Sequence, residues 1–177
     1  MVSKYFMSFS IRNNIPLFSN AALKAILCAS LVGGTLDLIG AFAIYGRIMD
    51  DMPPVRLLQS LASVLIGGAA FKGGEITASM GLVLHYSLVF GFAVLYFMWF
   101  PFIPFFRRRK IGGGLLYGLF IWIMTSTAAL PISHSVIAIF PSQGLAWHFV
   151  SVQILMALPL TIVIRAFYRA RQKSYLV

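Results

Sequence analysis

The stretch Ala29-Ser-Leu-Val-Gly-Gly-Thr-Leu-Asp-Leu-Ile-Gly-Ala41 decides the fold. It lies inside a run of about 25 mostly apolar residues, long enough to cross a bilayer as a helix at roughly 1.5 Å per residue. Asp37 sits near the middle of that run. A carboxylate at such a depth costs roughly 2.5–3.5 kcal/mol to insert, so it needs a partner. Ala29, Gly33, Asp37 and Ala41 recur every four residues and share one helical face. Small side chains there let a second helix approach closely. Asp37 is therefore expected to face a helix bundle and not lipid.

Composition agrees with this reading. The 177 residues are 60% hydrophobic and only 10% charged, whereas soluble domains carry about 25% charged residues. The chain suits an all-α, polytopic membrane protein without a separate soluble domain. Its net charge of +10, from 14 basic and 4 acidic residues, would suggest nucleic acid in a soluble protein. Here the basic residues gather at the ends of apolar runs, the pattern of topology signals and anionic headgroup contacts, so no nucleic acid partner is expected. The single cysteine, Cys28, excludes an intramolecular disulfide and a cysteine-based zinc cluster, and reads as a small core residue. The opening residues fit neither a lipobox nor a cleaved signal, so the first helix is read as uncleaved.

Outward from Asp37, residues 1–20 form an interfacial lead-in, with Ser19 or Asn20 as N-cap. The first span covers about 21–46 and ends at Arg47, Asp50, Asp51 and the Pro53-Pro54 pair. Segment 55–71 is apolar but short, with Arg56, Gln59, Ser60 and Ser63 on one face, which fits an amphipathic or re-entrant helix better than a crossing. Further spans are expected at 75–100, 111–131 and 144–168, giving four in all, the last kinked at Pro159. Gly114, Gly118, Trp122 and Ser126 form a four-residue ladder, so the third span should pack tightly along one side. Residues 169–177 form a basic tail. With four spans, Lys4, Arg12, Lys24, Arg107–Lys110 and the four basic residues from Arg165 to Lys173 fall on one side. Arg47, Arg56 and Lys72 fall on the other, beside Asp50, Asp51 and Glu75. The positive-inside rule then places both termini in the cytoplasm.

Counting residues from each span's midpoint puts Asp37, His85, Thr125, Ser126 and Gln153 at one level in the outer half of the bundle. Two readings follow. Asp37 and His85 form a hydrogen-bonded pair able to exchange a proton, or to bind a cation or polar ligand. Alternatively the layer only fixes helix register, through interhelical bonds worth about 0.6 kcal/mol each. Glu75, His134 and His148 near the outer ends of the second, third and fourth spans supply the donor types of a divalent metal site, though without a known ligand spacing. No cofactor is expected: no P-loop, dinucleotide fingerprint or nucleophile elbow occurs. The Arg107–Lys110 run ahead of Gly112-Gly-Gly114 reads as a cytoplasmic anchor with a lipid headgroup contact. The aromatic cluster from Tyr96 to Phe106 reads as an interfacial belt.

Leu31-Val-Gly-Gly-Thr-Leu-Asp37, Leu57-Leu-Gln-Ser-Leu-Ala-Ser63, Ala70-Phe-Lys-Gly-Gly74 and Gly81-Leu-Val-Leu-His85 occur together, with Tyr117-Gly118 and Leu130-Pro-Ile-Ser133. Jointly they resemble a family of small bacterial integral membrane proteins without a characterised activity. The resemblance covers about residues 29 to 133. It implies four spans, a bacterial inner membrane and Asp37 and His85 as pattern positions; His148 and Gln153 lie outside it. The sequence thus favours a non-enzymatic transport or accessory component with an Asp37/His85 site, alone, as a homo-oligomer or with a membrane partner protein. The alternative is a membrane-embedded metal-binding protein or enzyme that also uses Glu75, His134 and His148.

Overall fold

A computed structural model describes residues 19–49, 52–132 and 143–174, with side chains for 19–46, 52–127 and 146–171. The lead-in up to residue 18, Asp50, Asp51 and His134 lie outside the described residues. Those described are almost wholly helical, with no strand among them. α1 runs Asn20–Ala43 and continues as a π-helical turn, Ile44–Met49. α2, Pro54–Ile66, passes into a 3-10 segment, Gly67–Lys72. α3 is Gly74–Trp99, α4 the short Pro104–Arg108 and α5 Lys110–Ile132. α6, Gln143–Ser151, joins α7, Leu158–Ser174, through a second π-helical turn, Val152–Ala157.

Local chemistry sets the boundaries. Ser19 caps α1 by accepting a hydrogen bond from the Ala22 amide at 3.2 Å, satisfying one of the orphan donors of a helix start. α2 and α4 both open on a proline, whose missing N–H costs nothing in the first turn. α2 stops at Gly67, which sits at φ +60° where a side chain would be strained. Pro159 lacks a backbone donor and its ring crowds the carbonyl four residues earlier. The helix widens to the π form just ahead of it, with Leu158 N–H donating to Gln153 O. The kink expected at Pro159 is thus a widened turn one step earlier.

Among the described residues, four helices are long and apolar enough to cross a membrane: Asn20–Gly46, Pro54–Lys72, Gly74–Trp99 and Ala146–Arg171. Three coincide with spans read from the sequence. Pro54–Lys72 is the segment read as interfacial or re-entrant, and reaches this length only when α2 and its 3-10 continuation are joined. The remaining expected span is α5, whose 23 residues are about 35 Å long. Large apolar side chains such as Leu31, Ile39, Ile76, Val83, Ile111 and Ile154 point outward. Three exposed hydroxyls are satisfied by their own helices: Ser79, Ser87 and Thr127 donate to the carbonyls of Glu75, Val83 and Ile123, four residues back. An apolar perimeter with self-satisfied hydroxyls suits hydrocarbon. The chain is an all-α, multi-pass membrane protein.

The α6–α7 rod is the hub, touching α1, α3 and α5. A Cβ on Gly33 would lie 2.9 Å from Met156 O, and one on Gly40 2.1 Å from Leu155 Cδ1. Gly114 meets Leu158 and Thr161, and Gly118 meets Gln153 and Ala157, as the small-residue ladder predicted. α1 therefore runs antiparallel to the rod, and so does α5. On its other side, Gly34 of α1 meets Tyr86 and Val89 of α3. The end of α1 and the start of α3 thus share one end of the bundle. α2 begins and finishes there: Met52 packs with Tyr45 and Leu57, and Ala70 O accepts from Thr77 Oγ1 at 2.6 Å.

The opposite end is closed by aromatic rings. Tyr96, Phe97, Phe100 and Phe106 are buried with Tyr117 and Tyr168, and the Tyr117 and Tyr168 hydroxyls donate to Phe92 O and Phe97 O at 2.5 and 3.0 Å. This corrects the interfacial belt expected from Tyr96 to Phe106: rings from α5 and α7 cover it, leaving Phe102 and Phe105 outside. Cys28, read as a core residue, is exposed, because its face of α1 points away from both packed neighbours.

Candidate functional site: a polar seam around Asp37

Asp37 faces the bundle, half-buried, on the α1 face that carries Gly33 and Gly40. Because those glycines admit the rod closely, Ser151 at the end of α6 reaches across and donates to Asp37 Oδ1 at 2.6 Å. Hydrogen bonds to a charged acceptor contribute about 1.5–3 kcal/mol each, comparable with the insertion cost of the carboxylate. Among the described residues, no cation pairs with Asp37. The Tyr45 phenol and the His148 imidazole lie within electrostatic reach of it.

The expected pairing of Asp37 with His85 does not form. His85 is buried, and its Nε2 lies 3.0 Å from Gly34 O; a carbonyl only accepts, so this nitrogen carries the hydrogen. The reason is helical geometry. Gly34 lies on the α1 face that meets α3, whereas Gly33 and Asp37 form the face that meets the rod. At 100° per residue, Gly34 and Asp37 diverge by about 60°. His85 thus packs one turn along α1 from the carboxylate, edge-on to the Tyr86 ring at 5.3 Å.

Of the other expected layer members, Thr125 contacts the imidazole of His148, Oγ1 to Nε2, at 3.1 Å. The Thr125 hydroxyl also lies 2.9 Å from Ile121 O and 3.2 Å from Trp122 O, to which it donates. Its lone pair is then left to accept from His148 Nε2–H, placing the imidazole's free lone pair on Nδ1. Gln153 is buried and grips α5: with its amide oriented to match the surroundings, it donates to Leu115 O at 2.9 Å and accepts from Leu119 N–H at 3.0 Å. It locks helix to helix and does not reach Asp37. Ser126 is also buried, and among the described residues its hydroxyl has no hydrogen-bond partner; Trp122 Nε1 on the preceding turn is likewise buried and without a partner among them.

The structure therefore gathers Asp37, Ser151, His148 and Thr125, sets His85 and Gln153 to structural tasks, and leaves Ser126 and Trp122 beside the seam. Ser151 was missed, because a serine in an apolar span carries no signal of its own. Its spacing of three from His148, one turn on the same face, was the available clue. Among the described residues, no three of His, Cys, Asp and Glu come together to hold a metal ion. Glu75 lies exposed in the first turn of α3.

At the other end, Arg108, Arg109 and Lys110 are exposed and Arg107 half-buried. Partial burial, and then the charge of Arg108, pull the Arg107 guanidinium below its ordinary range; as an arginine it stays cationic at physiological pH. Arg165 does not join this exposed group. Buried in α7, it donates to Phe106 O and Arg107 O, both at 2.6 Å. These are last-turn carbonyls of α4, which have no partner within their own helix. Arg165 thus fixes the turn that carries the cation run. Comparison with known protein families, with curated proteins and with solved structures found no match.

Proposed function

We propose that this membrane protein is a small transport or accessory component whose working group is Asp37, exchanging protons with the side of the membrane to which α2 belongs. One observation carries the reading: a half-buried carboxylate is held across a helix seam by a serine hydroxyl. A carboxylate locked in an ion pair resists protonation, whereas one held by a hydroxyl accepts a proton and keeps its contact, the hydroxyl simply reversing its role. An imidazole one turn away supplies a second titratable group.

The topology that goes with this has four crossings, α1, α3, α5 and the α6–α7 rod, with α2 on the outer side. Its α-helical part has 13 residues, about 20 Å, against a hydrocarbon core of about 30 Å. Its two ends meet the same end of the bundle. The basic end is then cytoplasmic in a bacterial inner membrane, with both termini inside. Arg107, Arg108, Arg109 and Lys110 meet anionic headgroups there. The reading as a metal-binding protein or enzyme has less support, because Glu75 and His148 are not brought into a common cluster with Asp37 and His85.

The test is a proton-flux assay with the full chain in liposomes carrying a pH-sensitive dye. Wild type is expected to dissipate an imposed pH gradient, and Asp37→Asn to slow this at least tenfold. Zero flux in wild type and variant alike ends the proposal.

A further inference from the structure

We propose that protons reach Asp37 by way of His148, through a hydrated seam between α5 and α6 that Ser126 and Trp122 line. This rests on the reading of Asp37 as a proton-exchanging group. Two independent observations support it. His148 sits one turn before Ser151 on the same helix face, and its Nε2 lies 3.1 Å from Thr125 Oγ1, whose own hydrogen goes to Ile121 O, so Nε2 carries the hydrogen of this contact. Its Nδ1 is left as the basic atom. Separately, the same stretch of α5 carries two buried donors without an acceptor among the described residues, Ser126 Oγ and Trp122 Nε1. They stand one turn apart, and the Trp122 ring packs edge-on against Phe149, the neighbour of His148, at 5.4 Å. Donors so placed select an acceptor, and water is the one that also relays protons.

The step is a transfer of a single proton. A proton taken up on His148 Nδ1 gives an imidazolium. Its passage to Asp37 leaves a neutral imidazole and a carboxylic acid. The Ser151 hydroxyl serves as the link, accepting a proton on Oγ as it releases its own to Oδ1. Among the described residues, the titratable groups around this path are Asp37 and Tyr45 from α1 and His148 from α6. His85 of α3 is turned to Gly34 O. The described part of α5 opposite the path contributes only Thr125, Ser126 and Trp122, none of which ionises near neutrality.

The experiment combines the liposome assay with nuclear magnetic resonance of the full chain in nanodiscs. His148→Gln keeps a donor for Thr125 but cannot carry the proton, and is expected to slow flux at least tenfold; Ser126→Val is expected to slow it several-fold. The Trp122 indole N–H, assigned with Trp122→Phe, is expected to show a water cross-peak. Flux lost in Asp37→Asn but retained in His148→Gln overturns this inference and leaves the function of Asp37 standing. An indole proton without water contact overturns the hydrated seam. No flux in wild type removes the proton-exchange reading and this inference together.

Discussion

The closest helix approach beside the site is at Gly81, and it makes a quantitative test of the packing. A Cβ there would lie 1.9 Å from Leu58 O, 2.8 Å from Leu58 C and 3.2 Å from Ala62 N, all backbone atoms that no rotamer change can move. An ordinary C···O contact is about 3.3–3.6 Å, so Gly81→Ala must push α2 away from α3 by roughly 1.5 Å. Overpacking of this kind costs about 1–3 kcal/mol. The same shift stretches the bonds from Gln59 Nε2 to Gly74 O, at 2.9 Å, and to Thr77 Oγ1, at 3.3 Å, each worth about 0.5–1.5 kcal/mol. The total expected loss is on the order of 2–6 kcal/mol. Gly91 on the same helix is the control, since a Cβ there meets nothing within 4 Å. Gly91→Ala should be neutral or gain up to about 1 kcal/mol from helix propensity. Reversible unfolding of the full chain in mixed detergent micelles measures both. If the two variants agree within about 0.5 kcal/mol, α2 does not lie against α3 as described.

Three further outcomes are expected. Arg165→Met leaves the Phe106 and Arg107 carbonyls without their guanidinium and should destabilise the protein by roughly 3 kcal/mol in the same unfolding assay; Arg165→Lys, with one point of charge for two carbonyls, should recover only part of this. Tyr117→Phe loses the bond to Phe92 O and should cost about 1 kcal/mol. Arg108→Gln with Arg109→Gln should weaken retention of anionic lipid in nanodiscs, read by native mass spectrometry, with stability unchanged because both side chains are exposed; retention in the parent should not vary between about pH 5 and 9, since arginine stays charged throughout that window.

The helical class was legible because bilayer thickness dictates apolar runs of a fixed length. The inward face of Asp37 was legible because Ala29, Gly33 and Asp37 repeat with the helix period. Which helix would fill that face was not. Gly33 and Gly34 are adjacent in sequence yet serve different neighbours, and choosing between them requires the order of helices around the bundle, which periodicity does not encode. Depth counting put His85 near Asp37 along the membrane normal, but depth says nothing of direction, and the imidazole points to Gly34 O. Arg165 looked like one more cytoplasmic cation, because a buried clamp and a surface anchor share the same residue type. The aromatic cluster misled for a similar reason: a run of rings beside a membrane end reads as a belt until the partner rings Tyr117 and Tyr168 are seen covering it.

The contact between Asp37 and Ser151 is what holds the carboxylate in the bundle. Solid-state carbon correlation spectra of the full chain in bilayers, with labelled aspartate, serine and histidine, measure it directly. A cross-peak between the Asp37 carboxyl carbon and Ser151 Cβ is expected, together with a contact from the His85 ring to the Gly34 carbonyl. A carboxyl carbon that correlates with the His85 ring or with lipid acyl chains, and not with Ser151, would contradict the account.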